Sequence, residues 1–264
     1  MYSGVLRKML TENLNPIGYY LKLEQGYINL NQCLNKKLSI KWINSICLNC
    51  NDEKDIFRQG FCKSCFFEMP QTADWVMKPE LSQAHLNIEY RDLEYEKKIQ
   101  LQSHYIYFAD TSHLKVGVTR KTQVPYRWID QGANQTIILL ELPNRYLAGI
   151  GEVKLKEFFS DKTNWRKMLT NESDPVDLNE AYKKGLQNLP LDLKNYVNLK
   201  KPEIINLKYP VNVYPKKVSS LKLQKGITYK GKLNGIKGQY LMFEDQSVFN
   251  VRSNEGKVVE ISIS

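Results

Sequence analysis

Residues 104–135, HYIYFADTSHLKVGVTRKTQVPYRWIDQGANQ, decide how this chain is read. Tyr105, Tyr107 and Ala109 alternate with Ile106 and Phe108, the period of two expected of a strand. Asp110, Thr111 and Ser112 supply a polar turn, and LKVGVT (114–119) returns as a second strand. Gly117 inside that strand implies the close approach of another backbone, or a bulge. Pro125 suits the first turn of a helix and Gly132 its stop, so PYRWIDQG (125–132) reads as a short helix. TIILLEL (136–142) has the composition of a strand buried on both faces. From Asn144 a second helix follows, with Leu147, Ile150, Leu155 and Phe158 as its apolar stripe and Glu152 at the border beside Ala148 and Phe159. The order of elements is β-β-α-β-α.

Upstream stand two Cys-x-x-Cys pairs, Cys47/Cys50 and Cys62/Cys65, separated by eleven residues. Each pair can present two thiolates to one tetrahedral zinc, at about 2.3 Å per Zn–S bond. The intervening Gln59-Gly60 supplies a turn before the second pair, as a zinc ribbon or treble clef needs. Four thiolates leave no open coordination position, so this metal holds structure and does no catalysis. Disulfides are disfavoured by a reducing compartment, and a redox dithiol needs only one such pair. The fifth cysteine, Cys33, reads as a small buried residue.

A chain of 264 residues with 42% hydrophobic and 25% charged content is ordinary for a globular protein of one or two domains. The first residues, MYSGVLRKMLTENLNP, hold no long apolar run, and no segment approaches the roughly 18 apolar residues of a membrane span. The expectation is a cytoplasmic protein without a membrane partner. The net charge is +10, and residues 200–264 carry 12 Lys and Arg against 5 Asp and Glu, a net of +7. A concentrated basic region attracts polyanions, nucleic acid above all; a solvated lysine-rich surface has the same composition. Both ends read as β. GYYLKLE, YINL and LSIKWI lie near the N-terminus, and a glycine-punctuated stretch from Gly226 to Gly256 lies near the C-terminus and could pack with them.

The central residues resemble the GIY-YIG nuclease core. Tyr105-Ile106-Tyr107 looks like the family's first motif, with Tyr107 as its final tyrosine, and Lys115-Val116-Gly117 is similar to a lysine-led form of the second. Arg127 stands on the first helix, Glu152 on the next, and Asn164 in DKTNW looks like the asparagine that follows. The layout as a whole resembles an uncharacterised bacterial domain-of-unknown-function family, which joins a four-cysteine module to segments like LKVGVTR, RWIDQGA and DKTNWRKML and a tail like GIKGQYL. The fold class expected is α+β: a GIY-YIG-like β-β-α-β-α core, a zinc-ribbon or treble-clef module, and small antiparallel β regions at both ends. The boundaries are an N-terminal β region at 1–46, the four-cysteine zinc module at 47–75, a helical connector at 76–103, the core at 104–170, a helical and loop linker at 171–220, and a small basic β region at 221–264.

The resemblance implies a metal-dependent nucleic-acid phosphodiesterase acting on DNA or RNA. Glu152 would hold a catalytic Mg²⁺ or Mn²⁺, Tyr107 would orient or deprotonate the attacking water, and Arg127 would meet the phosphate oxygens. Lys115 would stabilise phosphate or a tyrosinate, and Asn164 completes the catalytic set. Tyr105 replaces the glycine that opens the first motif, and Lys115 replaces the usual tyrosine of the second. A second reading is therefore a nucleic-acid-binding adaptor that keeps the fold without the chemistry. A third, a zinc-stapled protein scaffold, accounts only for the cysteines.

Overall fold

The computed structural model describes residues 1–197 and 202–264. Residues 198–201, within the expected 171–220 linker, lie outside the described residues. The strands near the N-terminus are β1 (Tyr2–Val5), β2 (Leu10–Glu12), β3 (Gly18–Leu23), β4 (Gly26–Asn29) and β5 (Lys37–Ser45). The helices α1 (Lys63–Glu68), α2 (Asp74–Met77) and α3 (Leu93–Gln100) follow. Next come β6 (His104–Asp110), β7 (Leu114–Arg120), α4 (Tyr126–Asp130), β8 (Gln135–Leu142) and α5 (Arg145–Leu155). The helices α6 (Trp165–Thr170), α7 (Leu178–Gln187) and α8 (Leu191–Lys194) precede β9 (Ile204–Asn206) and β10 (Ser219–Ser220). The chain closes with β11 (Thr228–Lys237), β12 (Tyr240–Phe243), β13 (Ser247–Asn250) and β14 (Lys257–Ile263). This is a mixed α+β protein with several antiparallel sheets. No helix among the described residues is long and apolar enough to cross a membrane.

The chain divides into two compact units. Unit 1 comprises Met1–Phe67, Leu169–Asn171 and Leu207–Ser264; unit 2 comprises Glu68–Met168 and Glu172–Asn206. In unit 1 the described residues form a seven-stranded sheet in the order β1-β14-β5-β11-β12-β13-β10, antiparallel except for the β10–β13 edge, and a small meander β2-β3-β4. The two chain ends thus make one sheet. β14 pairs with β5 from Lys257↔Ser45 to Ile263↔Leu38, and the alternate residues Leu38, Ile40, Val259 and Ile261 are buried. That period-two burial sets the register, because a slip of one residue would turn every one of them outward. Cys33 is also buried, its thiol directed at the Asn29 carbonyl.

Unit 2 is built on a four-stranded antiparallel sheet in the order β7-β6-β8-β9. Ile106, Tyr107, Phe108 and Ala109 are all buried, so both faces of β6 are covered. Ile106 meets Gly151 of α5, and Phe108 meets Gly185 of α7. Tyr107 pairs with Gly117 across the hairpin and packs on Trp128 of α4 at 5.7 Å between ring centres. What approaches Gly117 is that phenol, not another backbone: a methyl group at 117 would lie 2.8 Å from the Tyr107 hydroxyl oxygen. The irregularity in register falls instead on the other side of β6, between Ile106 and Tyr107 opposite β8.

The helix α5 departs from the stripe expected of it. Ile150 and Phe158 are 36% and 41% exposed, and the buried line is Ala148, Gly151, Glu152, Leu155 and Phe159. The physical reason is close approach. Gly151 faces the Ile106 side chain, and Gly149 lies against the backbone of Pro79 and Glu80 with no room for a Cβ. Along its length the small residues Ala148, Gly149 and Gly151 face inward with Leu155, while Ile150 does not. Asn144 caps the helix, its Oδ1 accepting from the Leu147 N–H at 2.9 Å, an arrangement worth about 1 kcal/mol. In the connector, only α3 is a helix of eight residues; Pro79–Leu81 and Ala84–Leu86 are single 3₁₀ turns.

His104 opens β6 and is fully buried. Its Nδ1–H donates to the Gln102 carbonyl at 2.7 Å, and its Nε2 has no partner among the described residues. Burial therefore pushes its pKa down to about 4, against the pull of that carbonyl. The folded protein keeps the ring neutral, whereas the unfolded chain takes up a proton near pH 6.5. Stability is expected to fall as pH drops from about 6.5 towards 4. Melting curves of wild type and His104→Leu check this: the variant should lose part of the slope in that window, and an identical slope would refute the assignment.

Candidate functional site

The first candidate site lies in unit 1, where β5 runs out into the cysteine module. Gln59 and Gly60 both have positive φ, 53° and 81°, the signature of a tight hairpin turn, and Arg58 and Phe61 bridge across it. The turn brings Cys62 and Cys65, at the start of α1, back onto Cys47 and Cys50. The four Sγ atoms all lie within 4.8 Å of one another. They are positioned to bind a metal ion, and an all-sulfur set is consistent with zinc. Outer contacts suit thiolates. Cys47 Sγ accepts from the Cys62 N–H at 3.3 Å, and Cys65 Sγ from Asn49 Nδ2 at 3.4 Å. Burial works against the Cys47 thiolate, but the N–H groups of Cys62, Asn49 and Cys50 outweigh it and hold the pKa down to about 6. Cys50 goes the other way, up to about 12. The Asp52 N–H favours its thiolate, but burial and hydrogen bonds from its thiol to Cys47, Cys65 and Asp52 prevail. Four thiols this close cannot all ionise unless a cation joins them, which is what a bound dication supplies.

The second site is a pocket of about 140 Å³ in unit 2. Tyr107 from β6, Lys115 from β7, Arg127 from α4 and Glu152 from α5 all line it. Asn164 does not. It is exposed, and its Oδ1 accepts from the N–H groups of Arg166 and Lys167 at 3.1 and 3.3 Å, the contacts of a cap on α6. His113 is also outside the lining; its Nδ1 lies 3.1 Å from Ser112 Oγ. The sequence reading missed Gln131, Arg145, Lys156 and Asp161, which complete the polar lining. Two of these had a signal. Lys156 follows Glu152 at i+4, the helical ion-pair spacing. Arg145 is a cation in the first turn of a helix, where the macrodipole disfavours it unless carbonyl groups receive it.

Arg145 does find carbonyl groups. Its Nε donates to Trp75 O at 3.2 Å and its Nη2 to Val76 O at 2.7 Å, and its guanidinium lies over the Trp75 ring. Burial lowers its pKa to about 10, with Glu152 opposing, so it stays charged. Tyr107 is fully buried, and its hydroxyl donates to Gln131 Oε1 at 2.8 Å. Burial raises its pKa, against Arg127 nearby. It is a neutral phenol suited to orienting a neighbour and poorly suited to acting as a base. Burial also raises the Glu152 pKa, opposed by Lys156, whose Nζ stands 3.4 Å from Glu152 Oε2 and 3.3 Å from Asp161 Oδ2. Lys115 is 5% exposed. Burial, with Arg127 assisting, brings its pKa down to about 8.

This donor set permits a divalent ion. Glu152 Oε1 makes no hydrogen bond among the described residues, and Mg²⁺ or Mn²⁺ requires few protein carboxylates when water and phosphate fill the rest of its shell. The lining carries four cations and two carboxylates, a net of +2.

No curated protein and no solved structure matches the chain. Residues 35–259 match the family described as "Protein of unknown function (DUF2797)", and with well over half of its length inside that match the chain belongs to this family.

Proposed function

We propose that unit 2 carries a GIY-YIG-like core that binds nucleic acid and hydrolyses its phosphodiester bonds. One observation carries the reading: Tyr107, Lys115, Arg127 and Glu152, the four residues of the resemblance that lie on its strands and first two helices, come from four separate elements and line one pocket. The strand order β7-β6-β8 with α4 and α5 following in turn supports it. Arg127, whose planar fork matches a phosphate, receives the nonbridging oxygens. Tyr107, held by Gln131, orients the attacking water. Lys115 adds a second cation against the phosphate. Glu152 would hold Mg²⁺ or Mn²⁺, which when bound polarises the phosphate and acidifies its water. The basic residues of 200–264 add polyanion affinity that salt weakens. The four-cysteine cluster is a structural zinc centre that fixes the exit of β5.

A second reading, a binding adaptor without hydrolysis, is favoured by the Lys156–Glu152 contact. A lysine ammonium beside that carboxylate competes with any metal for it.

Cleavage and binding measured together separate the two. Plasmid, branched DNA and structured RNA would be incubated with Mg²⁺ or Mn²⁺ and with wild type or Glu152→Gln. Hydrolysis predicts that the variant cleaves at least about 100-fold more slowly, the scale of losing one group that stabilises transition-state charge, while binding changes less than about 2-fold, as expected of a group that acts on the transition state. Cleavage that survives the substitution rejects the hydrolytic reading. Salt-sensitive binding by both proteins with no cleavage establishes the adaptor.

For the cysteine cluster, elemental analysis is expected to find one zinc per chain, lost in Cys62→Ser. Stripping the metal should lower the melting temperature, because metal affinity is folding free energy in such modules. A stripped protein that melts unchanged would rule out a structural role.

A further inference from the structure

The charges of the unit 2 pocket do not balance, and the imbalance points to a particular anion. Lys115, Arg127, Arg145 and Lys156 face Glu152 and Asp161, four positive groups against two negative, a net of +2. Two of the cations are occupied. Arg145 holds the Trp75 and Val76 carbonyls, and Lys156 stands between Glu152 and Asp161. Lys115 and Arg127 are in no ion pair among the described residues. Lys115 is the telling member: it is 5% exposed, lines the cavity and makes no side-chain hydrogen bond among the described residues. Its ammonium has only the longer-range pull of Glu152 and Asp161, opposed by Arg127 and Lys156, and a charge so poorly solvated is costly unless a ligand meets it.

We infer that this pocket seats a phosphate monoester dianion, the end group of a nucleic-acid strand or of a nucleotide, and that Lys115 is the residue that prefers it to an internal phosphodiester. The inference deepens, and rests on, the reading of this pocket as a phosphate site. Above its second pKa, near 6, a monoester carries close to two negative charges, which cancel the net +2. A diester carries one and leaves the pocket positive. Size agrees with charge. A volume of about 140 Å³ holds roughly five water-sized groups, enough for one phosphate with a single ester arm leaving it. Burial and Arg127 bring the Lys115 pKa down only to about 8, so at neutral pH the ammonium is already in place to meet the anion.

The test uses the full chain in metal-depleted buffer with no added divalent ion, so that nothing is cleaved. A fluorescent 5′-phosphorylated single-stranded oligonucleotide is the probe. The competitors are the same sequence with a 5′-phosphate, with a 5′-hydroxyl and as a closed circle containing diesters only, together with a mononucleoside 5′-phosphate and inorganic phosphate. The phosphorylated end is expected to compete at least about 10-fold better than the hydroxyl end or the circle, the scale of one charge-assisted contact of about 1.4 kcal/mol. In Lys115→Met this preference should shrink below about 2-fold on the same scale, whatever affinity for the circle is lost with it. The variant should also melt no lower than wild type, since it removes a buried charge at similar volume. Arg127→Gln, at a half-buried position, provides a second reduction of the preference.

Equal competition by all three oligonucleotides overturns the monoester seat and leaves diester binding standing. Competition by the nucleotide and inorganic phosphate, without any by unphosphorylated strands or circles, upholds the seat and rejects strand binding as its purpose. Failure of every competitor to displace the probe overturns both. A Lys115→Met protein that keeps the full preference overturns the role of Lys115.

Discussion

Glu152 on α5 and Lys156, the residue just past its end, lie one helical turn apart, and their ion pair at 3.4 Å governs what the unit 2 pocket can be. Opposite charges about 4 Å apart attract by on the order of 4 kcal/mol at an effective dielectric of about 20, and burying a carboxylate costs a comparable amount. Neither side wins outright. Glu152 is kept in a buried place by a lysine that still reaches solvent, and it lines the cavity. The position of α5 makes this possible. Gly149 and Gly151 let the helix settle against the Pro79 backbone and Ile106, which draws Glu152 in from the surface. Larger residues there would lift the helix and loosen the carboxylate from Lys115, Arg127 and Tyr107.

The other constraint is cross-strand. Tyr107 can lie flat over β7 only because residue 117 has no side chain, and the same ring is braced by Trp128 and tethered by Gln131. One phenol therefore ties β6, β7 and α4 together beside the pocket, and its burial keeps it un-ionised. In unit 1 the comparable anchor is the cysteine cluster. β5 is flanked by β14 and β11, so a metal at Cys47, two residues beyond its end, would pin the strand on which both chain ends assemble.

What could be read from the sequence follows this division between pattern and approach. The hairpin, the short helix at 125–132 and the four-cysteine module were legible, because alternation, a Pro–Gly bracket and Cys-x-x-Cys spacing are local signals. The inner face of α5 was not: the expected stripe took Ile150 and Phe158 for core residues, since a list of apolar residues says nothing of how closely two backbones meet. Gly117 was recognised as a point of close contact, but the partner proved to be a side chain 10 positions earlier in the sequence. Arg145 and Asp161 escaped for a related reason. Their role comes from carbonyls at 75 and 76 and from a lysine on another turn, none of which a motif records. Asn164 is the converse case, a motif-like residue whose side chain caps a helix.

The competing functions converge on a single exchange, whether Glu152 faces Lys156 or a metal ion. The two partners of that ion pair are not equally free to leave it. The Glu152 side chain is 9% exposed and the Lys156 side chain 30%. If the pair opened, Glu152 would remain a carboxylate in a poorly solvated place, whereas Lys156 could swing towards water, with exposed Asp161 already within reach at 3.3 Å. The lysine is the movable member. A dication arriving at Glu152 would therefore displace a cation with somewhere to go, and the pocket would exchange one counter-charge for another without stranding Glu152. This asymmetry keeps a pocket whose lining carries a net of +2 compatible with metal-assisted hydrolysis. It also places the difference between adaptor and enzyme in the relative affinity of Glu152 for an ammonium and for a metal, not in a missing residue.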